Sequence, residues 1–180
     1  SIGNRLEILE ALDILQGRGR EDITTFICEL AQIMLGLADV EKTVEEVREQ
    51  LTNGAALKKF EAMVVAQGGD LEDLYRPSSA AHIVDVKAEQ AGYITELPAM
   101  EFGLFAMRLG AGRAVKSDDL DYETGIVFEK KVGDRVEIGE VFAKIYSNEK
   151  ISQELVTEFQ KNVKIGDESV AVSEIIEVIA

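Results

Sequence analysis

Tryptophan is absent from this 180-residue chain, and cysteine and histidine occur once each, as Cys28 and His82. A lone cysteine excludes an internal disulfide and fits a reducing compartment, so a cytoplasmic location is expected. A lone histidine leaves little room for a histidine-built metal centre or catalytic dyad. Proline occurs only at positions 77 and 98. Basic side chains are outnumbered: 19 Lys and Arg face 34 Asp and Glu, for a formal charge of −15. The deficit is even, with 8 basic against 15 acidic residues in 1–76 and 11 against 19 in 77–180, so it is not the work of a tail. So acidic a surface repels phosphate backbones, which argues against nucleic acid and anionic membranes as partners. No apolar run approaches the ~20 residues that span a bilayer, and no signal-peptide pattern opens the chain. Internal repeats and low-complexity segments are absent as well.

What is present is ample apolar material, 46% of the residues, in a length that suits one large domain or two small ones at ~100–200 residues each. The chain starts with Ser, and "SIGNRLEILEAL" enters helical periodicity almost at once, where a natural terminus usually carries loose residues. It reads as a piece of a longer protein.

Residues 4–75 carry the 3.6-residue period. Ile8, Leu12 and Leu15 form a stripe that Gly17 and Gly19 end. A second helix is expected from about Asp22 to Leu37, with apolar residues over most of its circumference and therefore packing on more than one side. "TVEE" at 43–46 is a capping box opening a third helix, and Asn53–Gly54 closes it. A fourth helix is expected over 55–66, stopped by Gly68–Gly69. The stretch 70–82, with Pro77 and two serines, is the expected boundary. Beyond it the period becomes two: strands are expected at 82–89 and 92–97, a helix at 101–110, a loop at "GAGR" (110–113), and a helix at 152–162. Three strands are expected in "GIVFEKKVGDRVEIGEVFAKIYSNEK" (125–150), around "VGD" and "IGE" turns, and the segment from 163 to 180 returns to strand. The expected fold class is α+β: a helical segment (1–76) belonging to a larger domain, followed by a β-rich domain (77–180) with a biotinyl/lipoyl-like strand rhythm; a family resemblance, carried by the motifs quoted below, implies that the larger domain is α/β and the β-rich one a barrel-sandwich.

Few residues carry an obvious chemistry. There is no P-loop and no Rossmann fingerprint; "GAGR" lacks the third glycine and follows a helix, so it reads as a tight turn from which Arg113 can face a ligand. Cys28 lies among Ile27, Leu30 and Ala31 and reads as a small core hydrophobe. Lys150 stands near the place of a carrier lysine, but "AMEF" (99–102) replaces the biotinyl "AMKM", the lipoyl "DKA" is absent, and a helical pattern follows. No covalent biotin or lipoate is expected. Glu7 and Glu10 follow the "SIGN" turn, where backbone carbonyls and a carboxylate can share a hard cation.

Four stretches, "IGNRLEILEALDILQGRG" (2–19), "LTNGAALKKFEAMVVAQGGD" (51–70), "AGYITELPAMEFGLFAMRLGAGRAVKSDDLDYETGI" (91–126) and "VGDRVEIGEVFAKIYSN" (132–148), together resemble the pyrimidine-nucleoside phosphorylases, including thymidine phosphorylase, in order and spacing. The resemblance implies a homodimeric pentosyltransferase that cleaves uridine, thymidine or deoxyuridine with phosphate, giving base and (deoxy)ribose 1-phosphate. It also implies that only the C-terminal portion is here: the phosphate stretch with its catalytic histidine, and the arginine and Ser-x-x-x-Lys that hold the pyrimidine, would lie before Ser1. The fragment alone is therefore expected to be inactive. The family's monovalent cation, taken as potassium, is implied to be held in part by the main-chain carbonyl of Ser1, which stands where alanine is expected, and by Glu10. A non-catalytic carrier or interaction module is the alternative. A phosphoribosyltransferase relative on the same scaffold would lack the part beyond residue 80.

Overall fold

A computed structural model of the chain describes residues 1–171. Its chain contacts define two compact units, one of Ser1–Glu7 together with Ser78 onward, the other of Ile8–Pro77. The first helix, α1 (Asn4–Leu15), starts in one and ends in the other.

The unit Ile8–Pro77 is helical. The rest of α1 buries Leu12 and Ile14. Helix α2 (Glu21–Leu37) follows the glycine break where expected, but only Thr24 and Cys28 are buried on it. Met34 is 69% exposed and Leu37 85%, so burial on more than one side is not met among the described residues. Helix α3 (Val44–Thr52) opens with the capping box read from "TVEE": the Thr43 hydroxyl accepts from the Glu46 amide, and Glu46 accepts from the Thr43 amide. Arg48 ties α3 to α2 by donating to Glu21 and to the Thr25 hydroxyl. Gly54 takes the left-handed conformation ahead of α4 (Ala55–Ala66), while Asn53 stays right-handed. The boundary stretch holds a short helix that the periodicity did not announce, α5 (Leu71–Tyr75), capped by the Asp70 carboxylate on the Glu72 amide. Five residues are too few for a period to register, and the cap is the one local signal.

The unit from Ser78 onward is α+β. Strand β1 (His82–Lys87), β3 (Gly125–Phe128) and β5 (Val141–Ser147) form an antiparallel sheet with β5 at its centre. Strand β2 (Gly92–Glu96), β4 (Arg135–Val136) and β6 (Lys164–Gly166) form a second antiparallel sheet with β2 at its centre. The three strands of 125–150 therefore do not pair in succession: β3 pairs with β5, and β4 crosses to the other sheet. Two acid-stabilised turns make the crossing. Asp134 accepts from the Lys131 amide at the "VGD" turn, and Glu140 from the Glu137 amide at the "IGE" turn.

The two sheets share one core with helix α6 (Ala99–Ala106) and helix α7 (Gln153–Lys161). Val86, Ile126 and Ile145 enter it from one sheet, Ile94 and Val136 from the other. Five of the seven phenylalanines gather there around Phe159, whose ring centroid lies 4.8 Å from Phe102 and 5.3 Å from Phe105. The Phe105 pair is edge-to-face, at 78°, a geometry that adds about 0.5–1.5 kcal/mol beyond burial. No closed barrel is present among the described residues; the strands stand as two separate sheets. Residues 172–180 of the expected last strand lie outside the described residues.

Candidate functional site

The densest polar construction in the unit lies at "DYETG", 121–125, just before β3. The Asp121 carboxylate accepts from the Thr124 hydroxyl (2.7 Å), the Glu123 amide and the Asn148 side chain. Its own amide donates to the carbonyl of Gly110 (2.9 Å). Glu123, 9% exposed, accepts through one oxygen from both the Ser78 hydroxyl and the Ser79 amide at 2.8 Å. Its other oxygen faces Arg5 at 3.9 Å. Buried charge demands such partners. One five-residue loop thus holds the start of the post-Pro77 segment, the "GAGR" region and the first residues of the chain.

Those first residues add to the sheet. Ile2 bridges Ile126 on the open side of β3, each amide donating to the other's carbonyl at 2.8 and 2.7 Å. Gly3, at φ +119°, lies against Thr124 and Gly125. Asn4 donates from its side chain to the Ala111 carbonyl (2.9 Å), and the Arg5 amide donates to the Tyr122 carbonyl. Glu7 reaches back to accept from the Gly3 amide at 2.8 Å, so this carboxylate caps α1.

The "GAGR" stretch leaves α6 through a π-helical turn (Met107–Ala111) and turns at Gly110, φ +108°. Arg113 does not reach into a cavity: it is exposed and donates to the Asp118 carbonyl, while the Asp118 side chain accepts from the Ala114 and Val115 amides. Beside the stretch is a cleft of about 170 Å³, lined by Ile2, Gly3, Asn4, Gly103, Met107 and Ala111 among others. That is below the ~300–1,000 Å³ of ordinary small-molecule pockets. A wider, shallow depression of about 760 Å³ runs along Asp70–Arg76, and its three carboxylates disfavour an anionic ligand.

The expected cation ligands fall in different units. Ser1 is half-buried and directly precedes the Ile2 bridge; Glu10 is half-buried in the middle of α1. Both already have interactions within the chain. A carbonyl and a carboxylate are the oxygen donors a hard cation takes, so they fit in kind, though two donors fall short of a full shell. Among the described residues no group of three or more His, Cys, Asp and Glu side chains is arranged to hold a metal ion.

The remaining residues singled out in the sequence are dispersed. His82 is exposed at the start of β1, an edge strand. Lys150 is exposed in the connection from β5 to α7 and not at a hairpin tip. Cys28 is 1% exposed, and burial pushes its thiol above the usual range, which disfavours the nucleophilic thiolate. The clearest acid shifts belong to surface pairs. Arg48 holds Glu21 below the usual carboxylate value, and Lys42 does the same for Glu46. Asp121 and Glu123 were not distinguishable in sequence from the chain's many other acids. Their only local signal is their place before a glycine that opens a strand.

Fold and site define an α+β protein whose buried polar groups are engaged in fastening its own segments together. Residues 93–166 match the family described as "Pyrimidine nucleoside phosphorylase C-terminal domain". The pyrimidine-nucleoside phosphorylase of Staphylococcus aureus strain USA300 is 39% identical over 178 residues, covering 95% of this chain and 41% of that protein. The protein of the same name from S. aureus strain bovine RF122 / ET3-1 is similar to the same extent. The chain belongs to the pyrimidine-nucleoside phosphorylase family and corresponds to a C-terminal portion of it. It spans about two fifths of the length of the curated relatives it matches. Among the described residues no helix is long and apolar enough to cross a membrane.

Proposed function

We propose that this chain is the C-terminal part of a pyrimidine-nucleoside phosphorylase. The intact protein reversibly cleaves uridine, thymidine or deoxyuridine with phosphate, yielding the base and (deoxy)ribose 1-phosphate. The observation that carries the reading is the 39% identity sustained over 95% of the chain. In this reaction phosphate attacks the anomeric carbon while the base departs with negative charge. Such chemistry needs basic groups at the developing charge and a site closed to competing water. The chain's one histidine lies exposed on an edge strand, and Arg113 is engaged by its own loop. These residues do not build that centre, so the part described is a scaffold and the chain alone is inactive.

The intact enzyme is a cytoplasmic homodimer in this reading. Its β-rich domain is of the barrel-sandwich type; the support is the pair of three-stranded sheets around one core. Lys150 carries no biotin or lipoate, which an intact-mass measurement checks. The Ser1 carbonyl and the Glu10 carboxylate are two of the ligands of a potassium ion, whose positive charge would strengthen an anion site beside it. The deciding experiment is a thymidine-plus-phosphate assay of the purified chain and of the full-length protein. Turnover by the full-length protein with none by the chain is expected. Comparable turnover by the chain would overturn the division of labour, and no turnover by either would overturn the reading.

A further inference from the structure

Of the four asparagines in the chain, Asn53 alone is followed by glycine. Such a pair is the most prone to deamidate, because glycine carries no side chain to shield its amide nitrogen. Asn53 is exposed, at the corner between α3 and α4. A Cβ on Gly54 would meet nothing within 4 Å, so no neighbour crowds the glycine. The chemistry needs only water. The Gly54 nitrogen attacks Cγ of Asn53, forming a C–N bond and giving its proton to water, while the Cγ–Nδ2 bond breaks and ammonia leaves. Water then opens the five-membered imide. Attack at Cγ restores the main chain with aspartate at 53. Attack at the main-chain carbonyl carbon leaves isoaspartate, with the chain routed through Cβ and Cγ.

The folded corner keeps the partners of the first step apart. At ψ −3° the Gly54 nitrogen is eclipsed with the nitrogen of Asn53, whereas ring closure needs it beside Cβ. Its N–H donates to the Leu51 carbonyl at 3.3 Å. Oδ1 of Asn53 accepts from the Ala55 amide at 2.9 Å, which holds the side chain to the start of α4. Gly54 itself is set at φ +77°, and its carbonyl accepts from the Lys58 amide at 3.0 Å. Closing the ring breaks the bonds to Leu51 and Ala55 together.

We propose that Asn53 is a latent deamidation site: Gly54 primes it chemically, and the hydrogen-bonded α3–α4 corner locks it until that corner opens. Helix ends open more readily than helix middles, so the lock is local. Isoaspartate lengthens the main chain by one carbon where α3 passes into α4, and it therefore marks every chain whose corner has opened for long enough.

The test uses the full-length protein, incubated at mildly alkaline pH with and without denaturant and then digested with trypsin. Mass spectrometry follows the peptide from Glu49 to Lys58. In denaturant, conversion at Asn53 is expected, with the mass change of an amide becoming an acid and with both aspartate and isoaspartate formed. In the native protein the rate is expected to be at least about tenfold lower, since two hydrogen bonds must break first. No conversion in denaturant overturns the site, and equal rates in the two conditions overturn the lock. Hydrogen exchange of the native protein reads the lock directly. Protection of the Ala55 amide supports it, and exchange of that amide at the rate of an unfolded chain overturns it.

Discussion

Gly3 and Gly125 cross backbone against backbone. A Cβ on Gly3 would lie 2.6 Å from the Thr124 carbonyl oxygen, and one on Gly125 would lie 2.3 Å from that of Ile2. Side chains cannot yield here, because the obstacles are main-chain atoms. Gly125→Ala is expected to cost about 2–3 kcal/mol, the upper part of the overpacking range. Gly103 is the contrast: it lies inside α6 with nothing within 4 Å of an added Cβ. Gly103→Ala is expected to stabilise by about 0.5–1 kcal/mol. Denaturant midpoints of the two variants would decide; equal effects would show that the crossing is not tight.

Glu123 joins Arg5 to Ser78 and Ser79 in a largely buried cluster. Glu123→Ala leaves two donors and a guanidinium without their acceptor and is expected to cost about 2–3 kcal/mol. Glu123→Gln keeps an acceptor oxygen and loses only the charge, so its cost is expected to be smaller. Calorimetric midpoints should rank unaltered, Gln, then Ala, and a Gln variant as weak as the Ala one would refute the acceptor role.

Acid should weaken the protein through its surface pairs. Glu21, Glu46 and Glu140 are held below the ordinary glutamate value by Arg48, Lys42 and Lys130. Backbone and Ser152 hydrogen bonds do the same for Glu154. In that situation the unfolded chain binds protons first as the pH falls. The stabilisation is thus whole above the ordinary glutamate pKa and is lost as the pH drops through the lower folded values. The effect is modest and salt-sensitive because the pairs are exposed. Thermal midpoints between about pH 6 and about pH 3 should fall, and Glu21→Gln should flatten the fall. An unchanged slope would remove the Arg48 pair from the account.

Cys28 should resist modification while the chain is folded. Its side chain is 1% exposed and its thiol is shifted up by burial. Reaction with a thiol reagent at neutral pH is expected to be slower by at least about tenfold than in denaturant. Rapid labelling of the native chain would contradict the packing of α2.

The helices were legible because their signals are local. The stripe of Ile8, Leu12 and Leu15, the glycines at 17 and 19, and Thr43 with Glu46 act within one or two turns of chain. Each produced the element expected of it. The strands of 125–150 were legible for the same reason, through the turn glycines Gly133 and Gly139. Their pairing was not, since period two says which face a residue takes and not which strand lies beside it. Nothing in "RVEIGE" announces that β4 leaves β3 and β5 for β2.

The candidate site divides along the same line. Membership of the phosphorylase family was readable from the order of motifs, because it depends on residue identity alone. The grouping of Asn4 with Ala111, Ile2 with Ile126, and Glu123 with Ser78 was not. These contacts span 107, 124 and 45 residues of sequence. Hydrogen bonds over such separations depend on where the folded core places each backbone, and no local pattern encodes that. Composition and periodicity determined an acidic α+β chain with these helices and strands. Tertiary structure alone decided that Ile2 adds to the sheet beside Ile126 and that Asn4 reaches the Ala111 carbonyl.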